Sequence, residues 1–268
     1  AGSGGPARDP VALRLARMEA ESGARLEAYC LDSSVVTAAL RRCAATLHMS
    51  GTLRPLEEYR DVTGLPRDSP AVAFPSPFPP GNRLALYDTS VTTRHQELDR
   101  GPAMAQMLSE RLESLLNGDG RSAMVFFPSF ALLESFASGG LLARIRRDKM
   151  FDERGMSQSE LAGLVREFRE KRGSVLFSVS GGRLSEGMDF PSDQLELVVL
   201  VGIPYPPPTA RQRALSYFFD VRFGKGWEYT VTAPTTRKLL QAIGRLIRDE
   251  GDRGAAVVLD KRAVHFKA

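Results

Sequence analysis

The sequence is poor in the residues that build disulfide frameworks and metal sites. Its 268 residues include only two cysteines, Cys30 and Cys43, and three histidines, at positions 48, 95 and 265. Two cysteines outside a Cys-x-x-Cys pair exclude a disulfide scaffold, and we expect both to be free, buried thiols in a reducing compartment. The scattered histidines predict no metal site. No apolar run approaches the roughly 20 residues of a membrane span, so we expect no membrane association.

Two signatures of nucleotide hydrolysis are also absent from the sequence. No Gly-x-x-x-x-Gly-Lys-Ser/Thr loop occurs, and Lys225 lacks the required spacing. No acidic run of the Asp-Glu-x-His kind is present to hold Mg²⁺. The chain therefore does not contain a complete site for nucleotide hydrolysis.

The residues that are present have an ordinary composition but an uneven charge. Hydrophobic residues make up 43% and charged residues 25% of the chain, and the net charge is +4, as in many globular proteins. Residues 237–268 hold eight Lys or Arg against four Asp or Glu, whereas the rest of the chain holds 28 of each. The sequence therefore places the first candidate site for an anionic partner at this end.

Short apolar runs alternate with longer amphipathic segments, which predicts an α/β fold with a mostly parallel sheet and helices on both faces. The predicted strands are Thr46–Met49, Leu84–Tyr87, Ser122–Phe127, Ser174–Val179, Leu197–Gly202 and Ala255–Asp260. The predicted helices are Ser34–Arg42, His95–Leu116, Phe130–Arg147, Ser157–Arg172, Thr209–Val221 and Thr235–Arg248. Ser157 followed by Glu160 predicts a capping box at one helix start.

A proline-rich stretch divides the chain into a short first part and a long second part. We expect residues 1–6 to be a cloning linker and residues 7–55 to belong to a neighbouring unit. Residues 56–82 are predicted to be an extended connection, and residues 83–268 the main α/β domain.

Three polar residues near the C-terminus are spaced as on one face of a helix. Gln241, Arg245 and Arg248 fall at positions i, i+4 and i+7, which lie within roughly 40° of one another on a regular helix. Gly244 inside such a helix costs on the order of 1 kcal/mol relative to Ala, which predicts a close approach by another group. An ordinary amphipathic helix ending in arginines is the alternative interpretation.

Two segments that follow predicted strands could bind phosphate. Backbone N–H groups of Ser180, Gly181 and Gly182 can come close to a phosphate because no large side chain intervenes, and Arg183 adds a charged donor. Ser129 is placed to cap a helix, where its hydroxyl and the first amides can also bind phosphate. Simple strand-to-helix turns capped by serine remain the alternative.

Taken together and in order, these motifs resemble the second motor domain of superfamily 2 DNA helicases of the XPD/DinG group, and most of all that of archaeal XPD. The resemblance runs from about Tyr29 to Phe266. The matching stretches are His48–Leu53, Val125–Phe130, Val179–Phe190, Gly224–Tyr229, Gln241–Arg248 and Leu259–Arg262.

The resemblance implies a RecA-like fold of the P-loop NTPase type and a part in an ATP-dependent 5′→3′ helicase of nucleotide excision repair. ATP and Mg²⁺ would be shared with a first motor domain, which is absent from this chain. The family's 4Fe–4S cluster would belong to the full-length protein, and none is expected here. Residues 7–55 would be the end of the first motor domain or an N-terminal extension of the second.

The resemblance also implies roles for individual residues. Gln241, Arg245 and Arg248 would be the catalytic set, with the arginines acting on the γ-phosphate of ATP held by the first motor domain. The residues implied to couple nucleotide state to movement are Glu186, Gly187, Asp189, Ser50, Gly51 and Thr52. The residues implied to contact the DNA backbone are Ser129, Ser180, Gly181, Gly182 and Arg183.

The implied partners are single-stranded DNA, the first motor domain of the same helicase and proteins of a repair complex. The resemblance further implies a monomer, cytoplasmic as in archaea or nuclear in a eukaryote. Alone, the chain is expected to bind single-stranded DNA weakly, with salt-sensitive affinity, and to lack ATPase activity. A non-catalytic α/β interaction module and a DinG-type helicase outside excision repair remain alternatives. A stand-alone phosphate-binding enzyme lacks a plausible nucleophile and base.

Overall fold

A computed structural model describes the chain in four ranges, with two compact units. The described residues are 13–20, 23–184, 194–247 and 249–266, and residues 13–27 and Arg41 are described by their backbone alone. The first unit, called the hairpin unit here, comprises Ala1–Ala73 and Pro206–Pro234. The second, called the sheet unit, comprises Phe74–Tyr205 and Thr235–Ala268.

The regular elements follow one another in chain order. The strands are β1 Leu13–Ala20, β2 Gly23–Cys30, β3 Arg83–Asp88, β4 Ala123–Phe127, β5 Lys149–Phe151, β6 Val175–Val179, β7 Leu197–Val201 and β8 Gly254–Leu259. The α-helices are α1 Ser34–Thr37, α2 Leu56–Thr63, α3 His95–Leu98, α4 Ala103–Gly118, α5 Phe130–Ser138, α6 Gln158–Glu170, α7 Ala210–Phe223 and α8 Ala233–Ile243. Short 3₁₀ turns span Ala38–Arg42, Pro80–Asn82 and Lys261–His265, and a π-helical turn spans Glu228–Thr232.

The sheet unit is built on six parallel strands in the order β3-β8-β7-β4-β6-β5. Successive side chains of the central strand β4 enter opposite cores, Val125 and Phe127 on one face and Met124 and Phe126 on the other. Helices α4 and α5 cover the first face, and α6 and α8 cover the second. The predicted parallel sheet with helices on both faces is confirmed.

The hairpin unit pairs β1 and β2 in antiparallel register, with Leu13 opposite Cys30. Polar contacts tie α2 to neighbouring segments of the same unit. The Ser33 hydroxyl donates to the carbonyl of Val62 at 2.7 Å, and the Tyr229 hydroxyl donates to Asp61 at 2.6 Å. This unit is therefore held together by hydrogen bonds between distant parts of the sequence.

Five predicted strands form within one or two residues of their expected bounds, but Thr46–Met49 is not a strand. In the described ranges no strand pairs with this segment, and Leu47 and Met49 are 81% and 79% exposed. A strand requires a neighbour for its backbone groups, so the apolar pattern alone does not form one. Strand β3 forms, but Leu84 and Leu86 are about half exposed at the sheet edge rather than covered.

Three helix predictions were too long, and each ends where a backbone feature stops it. The predicted helix His95–Leu116 is interrupted before Ala103 by Gly101 and Pro102. The helix from Phe130 ends at Ser138, because a Gly-Gly pair follows, and β5 was missed beyond it. The helix predicted to reach Arg248 ends at Ile243.

Other sequence predictions are settled by local detail. The capping box is confirmed, since the Ser157 amide donates to Glu160 at 2.6 Å and the Glu160 amide donates back to the Ser157 hydroxyl at 3.2 Å. Cys30 is partly exposed and Cys43 exposed, so the prediction of buried thiols is wrong.

The hairpin β1–β2 and helix α2 were not predicted, and α2 lies within the range expected to be a connection. In the described ranges no helix is long and apolar enough to cross a membrane.

One half-buried guanidinium donates to five backbone carbonyls near the starts of β4 and β6. Nε of Arg147 donates to Gly173 at 2.6 Å, and its other nitrogens donate to the carbonyls of Leu116, Asp119, Arg121 and Ser174. The pKa of Arg147 is lowered because burial disfavours the charged form. The planar fork of arginine suits this task, since it directs several donors at once.

We predict that Arg147→Met lowers the free energy of unfolding by about 2 kcal/mol, because buried carbonyls lose their donors. Arg146→Met, at the exposed neighbouring position, should change it by less than about 0.5 kcal/mol. Urea unfolding of both variants and the wild type measures the difference. Equal stability of the two variants would contradict the assignment.

Candidate functional site

The predicted phosphate-binding segments emerge side by side at the carboxyl edge of the sheet. Strands β4 and β6 are adjacent and parallel, with Phe127 beside Val179 at their ends. The backbone N–H of Ser180 donates to the carbonyl of Phe127 at 2.8 Å, which ties the loop after β6 to the end of β4. The structure thus brings Ser129 and the loop from Ser180 to Arg183, called the β6 loop here, to one edge.

Ser129 caps α5 as predicted. Its hydroxyl accepts a hydrogen bond from the backbone N–H of Leu132 at 3.3 Å, and the residue is exposed. One residue later, the ring of Phe130 lies 5.7 Å below the guanidinium carbon of Arg154. A helix start with an adjacent cation is a favourable place for an anion.

Both glycines of the β6 loop are required by its backbone. Gly181 has φ +76°, in the left-handed region that favours glycine. A Cβ atom at Gly182 would lie 3.0 Å from a methyl group of Val179 and 3.1 Å from its carbonyl oxygen. The exposed Arg183 donates to the carbonyl of Met156, which fixes the end of the loop.

A buried carboxyl lies beneath this loop, and sequence reasoning did not single it out. Asp152 follows β5 and accepts a hydrogen bond of 2.7 Å from the fully buried Ser178 hydroxyl. Burial raises the pKa of Asp152, although the Ser178 hydrogen bond and the charge of Arg183 act in the opposite direction. The sequence feature that could have identified Asp152 is its position as an acidic residue directly after an apolar strand.

A second buried carboxyl joins the ends of β3 and β8. Both oxygens of Asp260 accept hydrogen bonds from Arg262, at 2.8 and 2.7 Å, and the Thr93 amide donates at 2.9 Å. Burial raises the pKa of Asp260, but these hydrogen bonds outweigh it and lower the pKa overall. The guanidinium of Arg262 also lies 5.2 Å over the ring of Tyr205. Asp260 is fully buried, so this pair is part of the folded core and not a solvated charge cluster.

The predicted catalytic face is only partly supported by the local geometry. Helix α8 ends at Ile243, and although the Gly244 amide still bonds four residues back, the amides of Arg245 and Leu246 bond three residues back. The regular spacing used to place Gln241 and Arg245 on one face therefore does not continue to Arg245. The close contact predicted at Gly244 is with the Leu240 carbonyl of its own chain, where a Cβ would lie 2.9 Å away.

Of the predicted coupling residues, the structure describes only those around Ser50. Ser50, Gly51 and Thr52 form an exposed turn of the hairpin unit, in which the Thr52 amide donates to the Ser50 hydroxyl at 3.2 Å. Four predicted site residues lie outside the described residues. They are Glu186, Gly187, Asp189 and Arg248.

The segment after α7 is mostly engaged within the hairpin unit. Lys225 pairs with Glu57 at 2.7 Å, and Tyr229 is buried against Asp61. Burial, together with the hydrogen bond to Asp61, raises the pKa of Tyr229. Trp227 remains exposed. Packing therefore accounts for the lysine and the tyrosine, but not for the tryptophan.

Six parallel strands between two helical layers form the architecture of a RecA-like domain. The model of the helicase C-terminal domain matches residues 112–267, and the model of a helical and beta-bridge domain matches residues 10–97. The chain belongs to the helicase C-terminal domain family, and it is the C-terminal helicase domain of an XPD-like helicase.

Three similar proteins illustrate this relationship. A probable ATP-dependent helicase, MJ0942 of Methanocaldococcus jannaschii, is 32% identical over 82% of this chain and 35% of its own length. The XPD/RAD3 helicase subunit of the general transcription and DNA repair factor IIH of Saccharomyces cerevisiae is 24% identical over 87% of this chain and 32% of its own. A solved XPD helicase structure superposes with a TM-score of 0.68 at 25% identity, over 89% of this chain and 43% of that one. The chain thus spans about a third of the length of these curated relatives.

We predict that Asp152→Asn changes how stability depends on pH. The folded pKa of Asp152 lies above its ordinary value near 3.8, so the folded state holds this proton more tightly than the unfolded chain. Ionisation therefore lowers the free energy of unfolding as the pH rises above that value. Asp152→Asn removes this loss, so its stability relative to the wild type should increase as the pH rises above about 4.

Urea unfolding across this pH range measures the effect. Glu153→Gln, at the exposed neighbouring carboxyl, controls for the removal of one negative charge. A stability difference between Asp152→Asn and the wild type that does not vary with pH would contradict the prediction.

We also predict that Arg262→Gln lowers the free energy of unfolding by about 3 kcal/mol, because it leaves the Asp260 carboxylate buried without its charge partner. Adding Asp260→Asn to this variant should recover part of the loss, since the buried charge is then removed. Lys261→Gln, which breaks only the surface pair with Glu97, should cost at most about 1 kcal/mol. Chemical denaturation of the four proteins tests this order, and a Lys261 effect as large as that of Arg262 would refute it.

Proposed function

We propose that this chain is the C-terminal motor domain of an ATP-dependent 5′→3′ DNA helicase of the nucleotide excision repair type. In this proposal it grips single-stranded DNA at the carboxyl edge of β4 and β6 and acts on ATP held by a first motor domain. The observation that carries the proposal is the joint position of Ser129 and the β6 loop at that edge.

The chemistry of this edge suits the sugar-phosphate backbone of a nucleic acid. The amides of Ser180 and Gly182 hold the β6 loop in place by donating to the carbonyls of Phe127 and Val179, so the exposed Gly181 presents backbone without a side chain. Arg154 and Arg183 add two cations from separate elements. The nearby Asp152 is buried and accepts a hydrogen bond from Ser178, so its carboxyl is held below the loop surface. Contacts of this kind fix a strand without reading its sequence, as a translocating motor requires.

The nucleotide role rests on the C-terminal arginines. Gln241 and Arg245 are partly buried at the end of α8, and we assign them, with Arg248, to the γ-phosphate of ATP. The sequence has neither a phosphate-binding loop nor an acidic pair for Mg²⁺, so the first motor domain would hold both. ATP would supply the phosphoryl transfer, while these side chains would stabilise developing negative charge. Glu186, Gly187 and Asp189 keep their proposed coupling role, and a 4Fe–4S cluster is assigned only to the full-length protein.

The segment around Ser50 connects this chain to its missing partner. Leu47 and Met49 are two residues apart, so in an extended strand their exposed side chains share one face. We assign Thr46–Met49 to a strand that pairs with the sheet of the first motor domain, with Ser50, Gly51 and Thr52 directly after it. Burial of each apolar side chain would contribute about 1.5–3 kcal/mol.

The remaining features of the proposal follow from the family. The whole protein would act as a monomer, with single-stranded DNA and proteins of a repair complex as partners, in the archaeal cytoplasm or a eukaryotic nucleus. The chemistry of this domain suits a DinG-type helicase outside excision repair equally well. A non-catalytic interaction module instead requires Arg245 to be dispensable in the full-length protein.

Complementation tests the proposal. The chain, mixed with a separately produced first motor domain of the same helicase, should restore DNA-stimulated ATP hydrolysis. Arg245→Ala should lower the rate by roughly 10³-fold, because an arginine finger is lost. Arg253→Ala, at an exposed arginine in the turn before β8, should leave it unchanged.

Two outcomes of this experiment would contradict the proposal. Robust ATP hydrolysis by the chain alone would show that it holds a complete site. Equal rates for Arg245→Ala and Arg253→Ala would remove Arg245 from the catalytic set and favour the interaction module.

A further inference from the structure

Lys238 of α8 lies directly over the β6 loop, although no motif in the sequence linked the two. A Cβ atom at Gly181 would lie 3.2 Å from Cε of Lys238, 3.4 Å from its Nζ and 3.6 Å from its Cδ. The lysine side chain therefore occupies the space that a larger residue at position 181 would fill. Gly181 itself is exposed, whereas Lys238 is partly buried.

The ammonium group of Lys238 has no ion-pair partner in the described ranges of the chain. The other cations at this edge are engaged locally, Arg183 with the carbonyl of Met156 and Arg154 over the ring of Phe130. Among the described residues, Lys238 thus brings a positive charge to the loop that no carboxylate neutralises.

A lysine ammonium beside a glycine in the left-handed conformation suits a phosphate. Backbone N–H groups in turns that contain such a residue form concave sites for anions, and lysine contributes a point charge that tolerates several directions of approach. A glycine at this position lets the lysine side chain lie close against the loop backbone, which brings its ammonium group to the loop. The cation and the Gly181 amide then come to one ligand from two different elements, α8 and the β6 loop.

We propose that Lys238 binds a backbone phosphate of the nucleic-acid strand at Gly181, forming a phosphodiester subsite between α8 and the β6 loop. This inference rests on the proposed function, because the strand must run along this edge of the sheet. It extends that function by naming a residue outside the predicted DNA-contact set. It also joins α8, which ends beside the proposed ATP-directed residues, to the DNA-binding loop.

The salt dependence of single-stranded DNA binding tests the subsite. A fluorescently labelled oligo(dT) is titrated with the chain at several NaCl concentrations, and the logarithm of the association constant is plotted against the logarithm of the salt concentration. Each neutralised phosphate of a single strand contributes about 0.7 to the magnitude of the slope. Lys238→Gln and Lys238→Met should each reduce that magnitude by about 0.7. Both should weaken binding to oligo(dT) and oligo(dC) alike, because a phosphate contact reads no base.

Two further variants separate a phosphate contact from a general loss of charge or of structure. Lys238→Arg keeps the cation and should retain the slope of the wild type. Lys171→Gln removes one positive charge next to the start of β6, at the opposite edge of the sheet, where Lys171 pairs with Glu167. This control should leave the slope nearly unchanged. Thermal unfolding of every variant should show that the Lys238 effects are not caused by a loss of fold.

The possible failures are distinguishable. If the wild-type chain shows no salt-dependent binding to single-stranded DNA, both the proposed function and the subsite are overturned. If the wild type binds but Lys238→Gln and Lys238→Met keep its slope, only the subsite is overturned. A Lys238→Arg slope equal to that of Lys238→Gln would also overturn it. The subsite is likewise overturned if the Lys238 variants bind ATP more weakly but keep the wild-type salt dependence of DNA binding. The phosphate that Lys238 contacts would then belong to a nucleotide.

Discussion

The parallel pairing of β4 with β6 is the constraint on which the rest of the sheet unit depends. Because parallel strands send their carboxyl ends to the same edge, Ser129 and Ser180 lie on adjacent strand ends although they are distant in sequence. The same pairing requires crossover helices, which cover both faces and make β4 apolar at every position. The polar β6 loop can thus rest on a fully apolar strand, with the carboxyl of Asp152 buried and hydrogen-bonded.

The parts of the fold that the sequence predicts well are those with one strong local cause. Buried strands such as β4 and β7 need continuous apolar runs, and these runs are visible directly. Helix ends depend on competing local signals, so the end of α8 at Ile243 was missed although Gly244 follows it. The segment Thr46–Met49 shows the opposite error, because a strand also needs a partner, and a pattern along one chain cannot show whether that partner is present.

The candidate site divides in the same way. Ser129 and the glycines of the β6 loop are visible in the sequence, because capping and left-handed backbone restrict residue type locally. Asp152 and Lys238 act through residues far along the chain, Ser178 and Gly181, so no local pattern marks them. Sequence reasoning therefore found the backbone donors of the site but not the side chains that lie below and above them.

The basic excess near the C-terminus shows why the net charge of a segment locates a site poorly. Arg262 is held by the buried Asp260, and Lys261 pairs with Glu97, so these two charges serve the fold. Lys238 comes from the same basic segment, but in the described ranges no carboxylate pairs with it, and it points at a loop from another strand. A cation attracts a distant anion only to the extent that nearby acids leave it uncompensated. An anion site is thus determined by the arrangement of carboxylates around each cation. The fold sets this arrangement, and the net charge of a segment does not report it.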